Sequence, residues 1–538
     1  MIKNVYKEIQ IFFNNFIFCF NLSWKASKIL LVIRLFLEIV FAFQTIFLVF
    51  LSKEIINTLV LSVKAPSNKD VYVREFIIYI LILLALNIVK RLINNSKKII
   101  GGIHKDKIFK HINLQIVNKT SALDLSYFDS PEFYNEIKNT RRDSRSLETI
   151  NMVVINSVNA VVSLVTAIIV LSKLNMVFPL LLIILSAPYI IVEKYFTKYI
   201  FNWQRDKALE NRKMDYLTAI LTDKGHSKDI RLFNISDIII DKYKNIWAKW
   251  FSEKKSISIN RGKWIVLLSI LPKIGKIYIM FYVGIEIINQ VLTIGDYRLY
   301  TGMAGQITSS LFTLINAFIT MYDNNIKISK YQEFLNWKSK LSLSGNLKPN
   351  DVQKIEFKNI YFKYPGTDKY ILKNLNFKIY SNEKIALVGL NGAGKTTIIK
   401  LLLRFYDPVK GHILLNGIDI KNYNINEYRK KFSALFQNCV NYAFTIKENI
   451  TLSNLDKEKD IEQIIEACKK GGMDKIINKY EKGLDTYLTR QFKEDGIVLS
   501  GGERQKVALA RTFFRDGDII ILDEPSSALD AEADHEMF

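Results

Sequence analysis

Six apolar runs, at residues 29–51, 76–89, 153–171, 177–192, 264–288 and 299–318, constrain this 538-residue chain more than any other feature. A helix needs about 20 largely apolar residues to cross a bilayer. Inside lipid a helix satisfies every backbone N–H and C=O within its own segment. The expectation for residues 1–335 is therefore an all-α polytopic membrane domain with six transmembrane helices. The run at 76–89 is short unless its flanks extend it, and the run at 299–318 is the least apolar, carrying Gly302, Gly305 and Gln306.

The loops give an orientation. Residues 90–149 and 193–263 are long and rich in Lys and Arg, while 172–176 and 289–296 are very short. Basic loops stay on the cytoplasmic side, which places both termini there and makes the chain a multi-pass protein of the cell membrane. The net charge of +23, from 75 Lys and Arg against 52 Asp and Glu, then belongs largely to a cytoplasmic membrane face, and no nucleic-acid partner is expected. A hydrophobic fraction of 49% excludes a disordered chain. Cys19, Cys439 and Cys468 are an odd number without metal-ligand spacing, so no disulfide scaffold is expected. Residues 1–25 read as an interfacial amphipathic helix with no cleavage site after it. Arg34 and Glu38 share a helix face by their spacing of four, which allows them to pair.

Hydropathy changes near residue 322, and residues 336–352 read as a polar linker before a second domain at 353–538. Alternation over 354–363 predicts a half-buried strand, and the apolar run 385–388 predicts a buried one. The latter leads into Gly389-Leu-Asn-Gly-Ala-Gly-Lys-Thr-Thr397, a G-x-x-x-x-G-K-[ST] phosphate loop followed by an apolar helix. Its glycines let backbone N–H groups turn toward phosphate oxygens at a helix N-terminus. Gly389, Asn391, Gly392, Gly394, Lys395, Thr396 and Thr397 are the expected ATP contacts, with Lys395 on the β and γ phosphates and Thr396 on Mg²⁺. A further buried run, 519–522, ends in Asp523 and Glu524. At that position Asp523 suits a water-mediated hold on Mg²⁺ and Glu524 suits a general base for the attacking water. The second domain is thus expected to be an α/β P-loop NTPase.

Leu499-Ser-Gly-Gly-Glu-Arg-Gln505, lying between the phosphate loop and the Asp523-Glu524 pair, resembles the signature motif of ATP-binding-cassette (ABC) ATPases. Tyr364 in Tyr-Pro-Gly resembles the aromatic that stacks on adenine. Gln437 in Leu-Phe-Gln resembles the glutamine that touches Mg²⁺ and the attacking water. Ser527-Ala-Leu-Asp530 resembles the D-loop. Six spans before the cassette match an exporter-type half-transporter, and residues 128–134 and 228–233 resemble its cytoplasmic-loop segments. The resemblance implies a dimer, with a homodimer favoured over a heterodimer because Glu524 and the Ser500-Gly501-Gly502 turn are both intact. It implies that Ser500, Gly501, Gly502 and Glu503 face the ATP held by the partner's phosphate loop. It further implies ATP-driven export of a drug, lipid or hydrophobic peptide by alternating access, with ATP and Mg²⁺ as ligands.

Two features depart from the pattern. Glu503 stands where Gln is more usual. None of His104, His111, His226, His412 and His535 fits the family's switch histidine, which implies a cassette that ends after the D-loop. A subunit that binds nucleotide without hydrolysing it is therefore one alternative, and an importer on the same fold is another.

Overall fold

The computed structural model describes residues 2–64, 69–341, 345–390 and 392–525. It forms two compact units, Met1–Lys119 with Lys138–Asn336, and Thr120–Ile137 with Trp337–Phe538. The helices begin with α1 (Ile2–Ala26), α2 (Lys28–Lys64), α3 (Lys69–Ser121), α4 (Leu125–Asp129), α5 (Pro131–Ser172) and α6 (Val177–Asp206). They continue with α7 (Ala208–Thr222), α8 (Ser227–Leu232), α9 (Ser236–Ile288), α10 (Ile294–Asp323) and α11 (Asn325–Asn336).

Among the described residues α2, α3, α5, α6 and α9 are long and apolar enough to cross a membrane. The short second run lies inside the 53-residue α3, so its flanks do extend it. The sixth run is a helix of spanning length, α10, yet it falls outside that apolar set. The physical reason is its surroundings. It packs against α2, α6 and α9 and buries Thr301, Met303, Ala304, Ile307 and Ser310. A helix sheltered by neighbours presents little surface to lipid, and small or hydroxyl-bearing residues let those neighbours approach closely. A Cβ at Gly302 would stand only 3.0 Å from Val49 Cγ1 of α2.

Arg34 and Glu38 attract each other by charge, while the hydrogen bond and ion pair that they form run across helices. Glu38, which is buried, takes Lys97 Nζ of α3 at 2.6 Å. Arg34 donates to Asn156 Oδ1 of α5 at 2.9 Å, and its guanidinium lies against Gly101 of α3. Neighbours four apart on one helix gain only a few tenths of a kcal/mol. A contact between helices in a low-dielectric interior is worth more, so it sets the rotamers. Gln44 Nε2 continues the α2–α3 seam with a bond to the Leu86 carbonyl at 2.9 Å.

The second unit holds two sheets. β1 (Lys354–Phe362), β2 (Leu372–Tyr380), β3 (Lys410–Leu415) and β4 (Ile418–Asp419) form an antiparallel sheet in the order β2-β1-β3-β4. Its inner face, with Ile355, Phe357, Phe362, Ile413 and Leu415, packs against α12 (Lys395–Leu402) through Ile399, Leu401 and Leu402. After α13 (Ile425–Lys430), β5 (Phe432–Leu435) pairs in parallel with β6 (Ile519–Leu522). Between these strands lie α14 (Ile446–Thr451), α15 (Ile461–Lys470), α16 (Asp474–Lys479) and α17 (Gly501–Arg515), which share a core of Ile446, Ile464, Val507 and Phe514. Cys468 lies in that core, and burial pushes its thiol up to about 12, so it is inert.

The 385–388 run does not form the expected strand. Among the described residues the parallel sheet has two strands, β5 and β6, and 385–388 joins neither sheet. Ile385, Leu387 and Val388 are exposed. An apolar tetrapeptide extends stably only when neighbouring strands satisfy its backbone and cover its side chains, and here neither occurs.

Breaking the Glu38–Lys97 pair leaves a buried charge, which costs about 3–5 kcal/mol. Glu38→Leu in lipid is therefore expected to lower the unfolding temperature of the membrane unit clearly. The Glu38→Leu/Lys97→Met double variant should recover most of the loss, as thermal unfolding of the purified chain would measure.

Candidate functional site

The phosphate loop turns on two glycines in left-handed backbone, Gly392 at φ +80° and Gly394 at φ +98°. At Gly394 a side chain would also meet Leu372 Cδ2 at 2.9 Å. Gly394 caps α12, so the loop delivers the chain directly into a helix N-terminus, where backbone donors and the helix dipole favour anions. Lys395 Nζ folds over the loop and donates to the carbonyls of Gly389 at 2.7 Å and Leu390 at 3.2 Å. Asn391 lies outside the described residues, as do Ser527, Asp530 and His535.

Three chain segments meet beside this helix. Thr396 Oγ1 donates to Asp523 Oδ2 at 3.2 Å, and Asp523 is buried at the end of β6. Gln437 Nε2 donates to Glu524 Oε2 at 2.6 Å. The parallel register explains the second contact. Leu435 pairs with Leu522, so the residues two further along each strand, Gln437 and Glu524, emerge side by side. The Asp523 N–H to Leu435 carbonyl bond, at 3.0 Å, extends the ladder to that point. Glu524 takes φ +52°, a conformation that costs a non-glycine residue energy and that clusters at functional sites. The cluster sits at the carboxyl ends of parallel strands, where α/β folds place their ligands.

Tyr364 is tied to the same loop. Its hydroxyl lies 3.1 Å from Thr397 Oγ1, and Thr397 is buried. Its ring meets Phe362 and Tyr406 edge-on, with centroids at 5.1 and 5.5 Å. A cavity of about 550 Å³ opens beside it, lined by Phe362, Tyr364, Pro365, Phe405 and Tyr406.

Ser500, Gly501, Gly502 and Glu503 form a separate turn at the start of α17. Ser500 Oγ accepts from the Glu503 N–H at 3.2 Å, and Glu503 Oε2 accepts from the Ser500 N–H at 2.8 Å. This reciprocal capping box admits Glu or Gln at its last position, which accounts for Glu503 in structural terms. The Ser500 N–H bond holds the Glu503 carboxyl below the usual range, helped by the Ser500 hydroxyl and by Lys479 at 3.4 Å. Gln505 Nε2 reaches the Pro525 carbonyl and so ties α17 to the segment after Glu524.

Sequence reasoning did not single out Lys400 and Tyr406, which flank Tyr364, or Asp129, which bonds to both of them. Asp129 was visible only inside the 128–134 segment, and nothing in the spacing of the other two marks them.

The ABC transporter family matches residues 372–527. The subtilin transport ATP-binding protein SpaT of Bacillus subtilis is 29% identical over 96% of this chain and 84% of its own length. The nisin transport ATP-binding protein NisT of Lactococcus lactis subsp. lactis is 28% identical over 86% of this chain and 78% of its own. Residues 372–527 of this chain are thus an ATP-binding cassette of the ABC transporter family. In fold, the whole chain is similar to a bacterial Atm1-family ABC exporter solved with ATP bound, with a TM-score of 0.75 at 21% identity over 94% of this chain and 87% of that one. It is a multi-pass membrane protein with a cytoplasmic ATP-binding domain.

Removing an N-cap hydroxyl costs about 1 kcal/mol, so Ser500→Ala should lower the cassette's unfolding temperature. The sign of the pH effect follows from the depressed Glu503 carboxyl. Its contribution is complete above the unfolded carboxyl value of about 4.3 and is lost as pH falls through the lower folded value. The stability advantage of the wild-type chain over its Glu503→Gln variant should shrink over that acidic window, as paired unfolding curves would measure.

Proposed function

We propose that two copies of this exporter bind two ATP molecules head to tail and use their hydrolysis to alternate the membrane domain between inward-open and outward-open states. The observation that carries this reading is the convergence of Thr396 with Asp523 and of Gln437 with Glu524 at one helix N-terminus. Phosphoryl transfer is mostly positioning and charge stabilisation, and these residues supply both. Lys395 swings from its loop carbonyls to the β and γ phosphates. The loop glycines and Thr397 cradle the phosphates, and Tyr364 stacks on adenine. Glu524 takes the proton of the attacking water, with Gln437 holding the carboxylate in place. Gln437, Thr396 and Asp523 would hold Mg²⁺. The adjacent Thr396 and Asp523 oxygens are hard donors that fit it, with Asp523 acting through water. When bound, Mg²⁺ neutralises charge on the β and γ phosphates. Ser500, Gly501 and Gly502 close the open side of the γ-phosphate on the partner copy, held in shape by Glu503. Ser527 and Asp530 belong to the loop that meets that partner.

The cargo in this reading is a hydrophobic peptide, ahead of a drug or a lipid. Support comes from two relatives that match most of the chain and whose names are subtilin and nisin transport, while a putative multidrug export protein of Bacillus subtilis that covers 80% of this chain makes a drug the second choice.

The deciding experiment is ATP hydrolysis by the purified chain in lipid. General-base removal typically costs about 10²–10⁴ in rate. Glu524→Gln should lose activity by that factor while still binding ATP, and Lys395→Ala should lose binding as well. A wild-type chain that binds ATP without turnover would instead make it a silent subunit. Import in vesicles would reverse the assigned direction.

A further inference from the structure

The membrane unit pairs its sheltered charges across helices. Glu38 holds Lys97, Lys53 holds Asp296 and Arg261 holds Glu193. Lys276 of α9 is the exception, for among the described residues no carboxylate or other acceptor pairs with it. Its neighbours on three helices fix its depth. It stands twelve residues from each end of the apolar run 264–288, about 18 Å of helix either way. The adjacent Gly275 packs on α6, where an added Cβ would stand 2.6 Å from Leu185, in the middle of the run 177–192. The Lys276 ammonium itself lies on α10, 3.4 Å from where a Cβ of Gly305 would be. A four-carbon stem does not carry an ammonium from that depth to either interface, so snorkelling leaves the charge unanswered. Glu286, the one acid in the same run, is ten residues away, about 15 Å along the helix.

α10 offers that ammonium an open, polar side. Gln306, Ser309, Thr313 and Asn316 follow one another at spacings of three and four, so they share one face with Gly305. Gly305 and Gln306 are half-buried, and Ser309, Thr313 and Asn316 are exposed. A polar stripe of this length is disfavoured against lipid tails and suits a water-filled path. The stripe and the unpaired charge are independent observations, and they meet at Gly305. We propose that Lys276 is a cargo-binding residue that takes a carboxylate of an otherwise apolar cargo moving along the α10 stripe. Lys273, three residues earlier and exposed, adds a second ammonium nearby on the same helix. An ammonium away from bulk water is costly until an anion meets it, so a carboxylate gains here what an uncharged group does not. Gly305 leaves the room, since a side chain there would crowd the ammonium. The inference rests on the reading of the cargo as a hydrophobic peptide, and it names the group by which that peptide is held.

The test uses the full chain in lipid with a synthetic apolar peptide that ends in a free carboxylate, beside the same peptide made as its C-terminal amide. Half-saturating concentrations of both are read from peptide binding and from stimulation of ATP hydrolysis. Their ratio is the readout, because a general loss of folded protein cancels in it. The wild type should prefer the carboxylate about tenfold, the worth of a hydrogen bond to a charged group. Lys276→Met should abolish the preference, and Lys276→Arg should keep it. If Lys276→Met does not accumulate, Lys276→Gln takes its place. Equal binding of the two peptides by the wild type overturns this inference and leaves the hydrophobic-peptide reading standing. A preference that survives the loss of Lys276 overturns it as well. Binding of neither peptide overturns the hydrophobic-peptide reading and this inference with it. Retention of phosphatidylglycerol over phosphatidylcholine that Lys276→Met abolishes would in that case give the site to a lipid headgroup.

Discussion

The pairing of four residues in β5 with four in β6, from Phe432 opposite Ile519 to Leu435 opposite Leu522, sets the geometry of the candidate site. Side chains alternate along a strand, so a slip of one residue would send the functional groups to opposite faces. With this register Gln437 meets Glu524, and Asp523 ends its strand against Thr396 at the head of α12. The register is reinforced by polar contacts around it. Ile519 N–H reaches the Lys431 carbonyl at 3.0 Å, and Lys431 Nζ holds Asp518 at the same distance. Arg511 of α17 ties to the Asn449 carbonyl at 2.7 Å, which locks the helical part of the cassette.

The membrane half obeys a different constraint. Lipid supplies no hydrogen bonds, so hydroxyls at depth bond back to their own helix, as Ser186 does to the Leu182 carbonyl, while longer polar side chains reach a partner on another helix. Glu38 with Lys97, Arg34 with Asn156, and Gln44 with the Leu86 carbonyl are such partners. They define which faces of α2, α3 and α5 meet. Apolar residues alone do not, because a lipid tail serves them as well as another helix does. The same reasoning explains why α10, sheltered among its neighbours, tolerates glycines and hydroxyls.

Much of the candidate site was legible because phosphate binding demands specific residue types at fixed local spacing. The glycines and Lys395 lie within one loop, and Asp523 and Glu524 close a recognisable apolar run. What was not legible depends on residues far apart. The capping role of Glu503 follows from an S-x-x-E pattern that was present but was weighed only against the family's usual Gln. Asp129, Lys400 and Tyr406 carry no local pattern, and their meeting is a product of folding alone. The 385–388 run misled for the same reason. Hydropathy states what a segment would gain from burial, not whether neighbouring strands are there to bury it.

The sequence by itself determined the class of each half: apolar runs of bilayer length imply membrane helices, and a glycine-rich loop before a helix implies phosphate binding. Both are local consequences of backbone hydrogen bonding, which any short stretch of chain carries with it. Only the tertiary structure decided which charges pair across helices, which glutamine holds Glu524, and that residues 120–137 pack with the cassette. Those outcomes depend on distances between segments up to several hundred residues apart, and side chains settle them only once the cores on either side have closed.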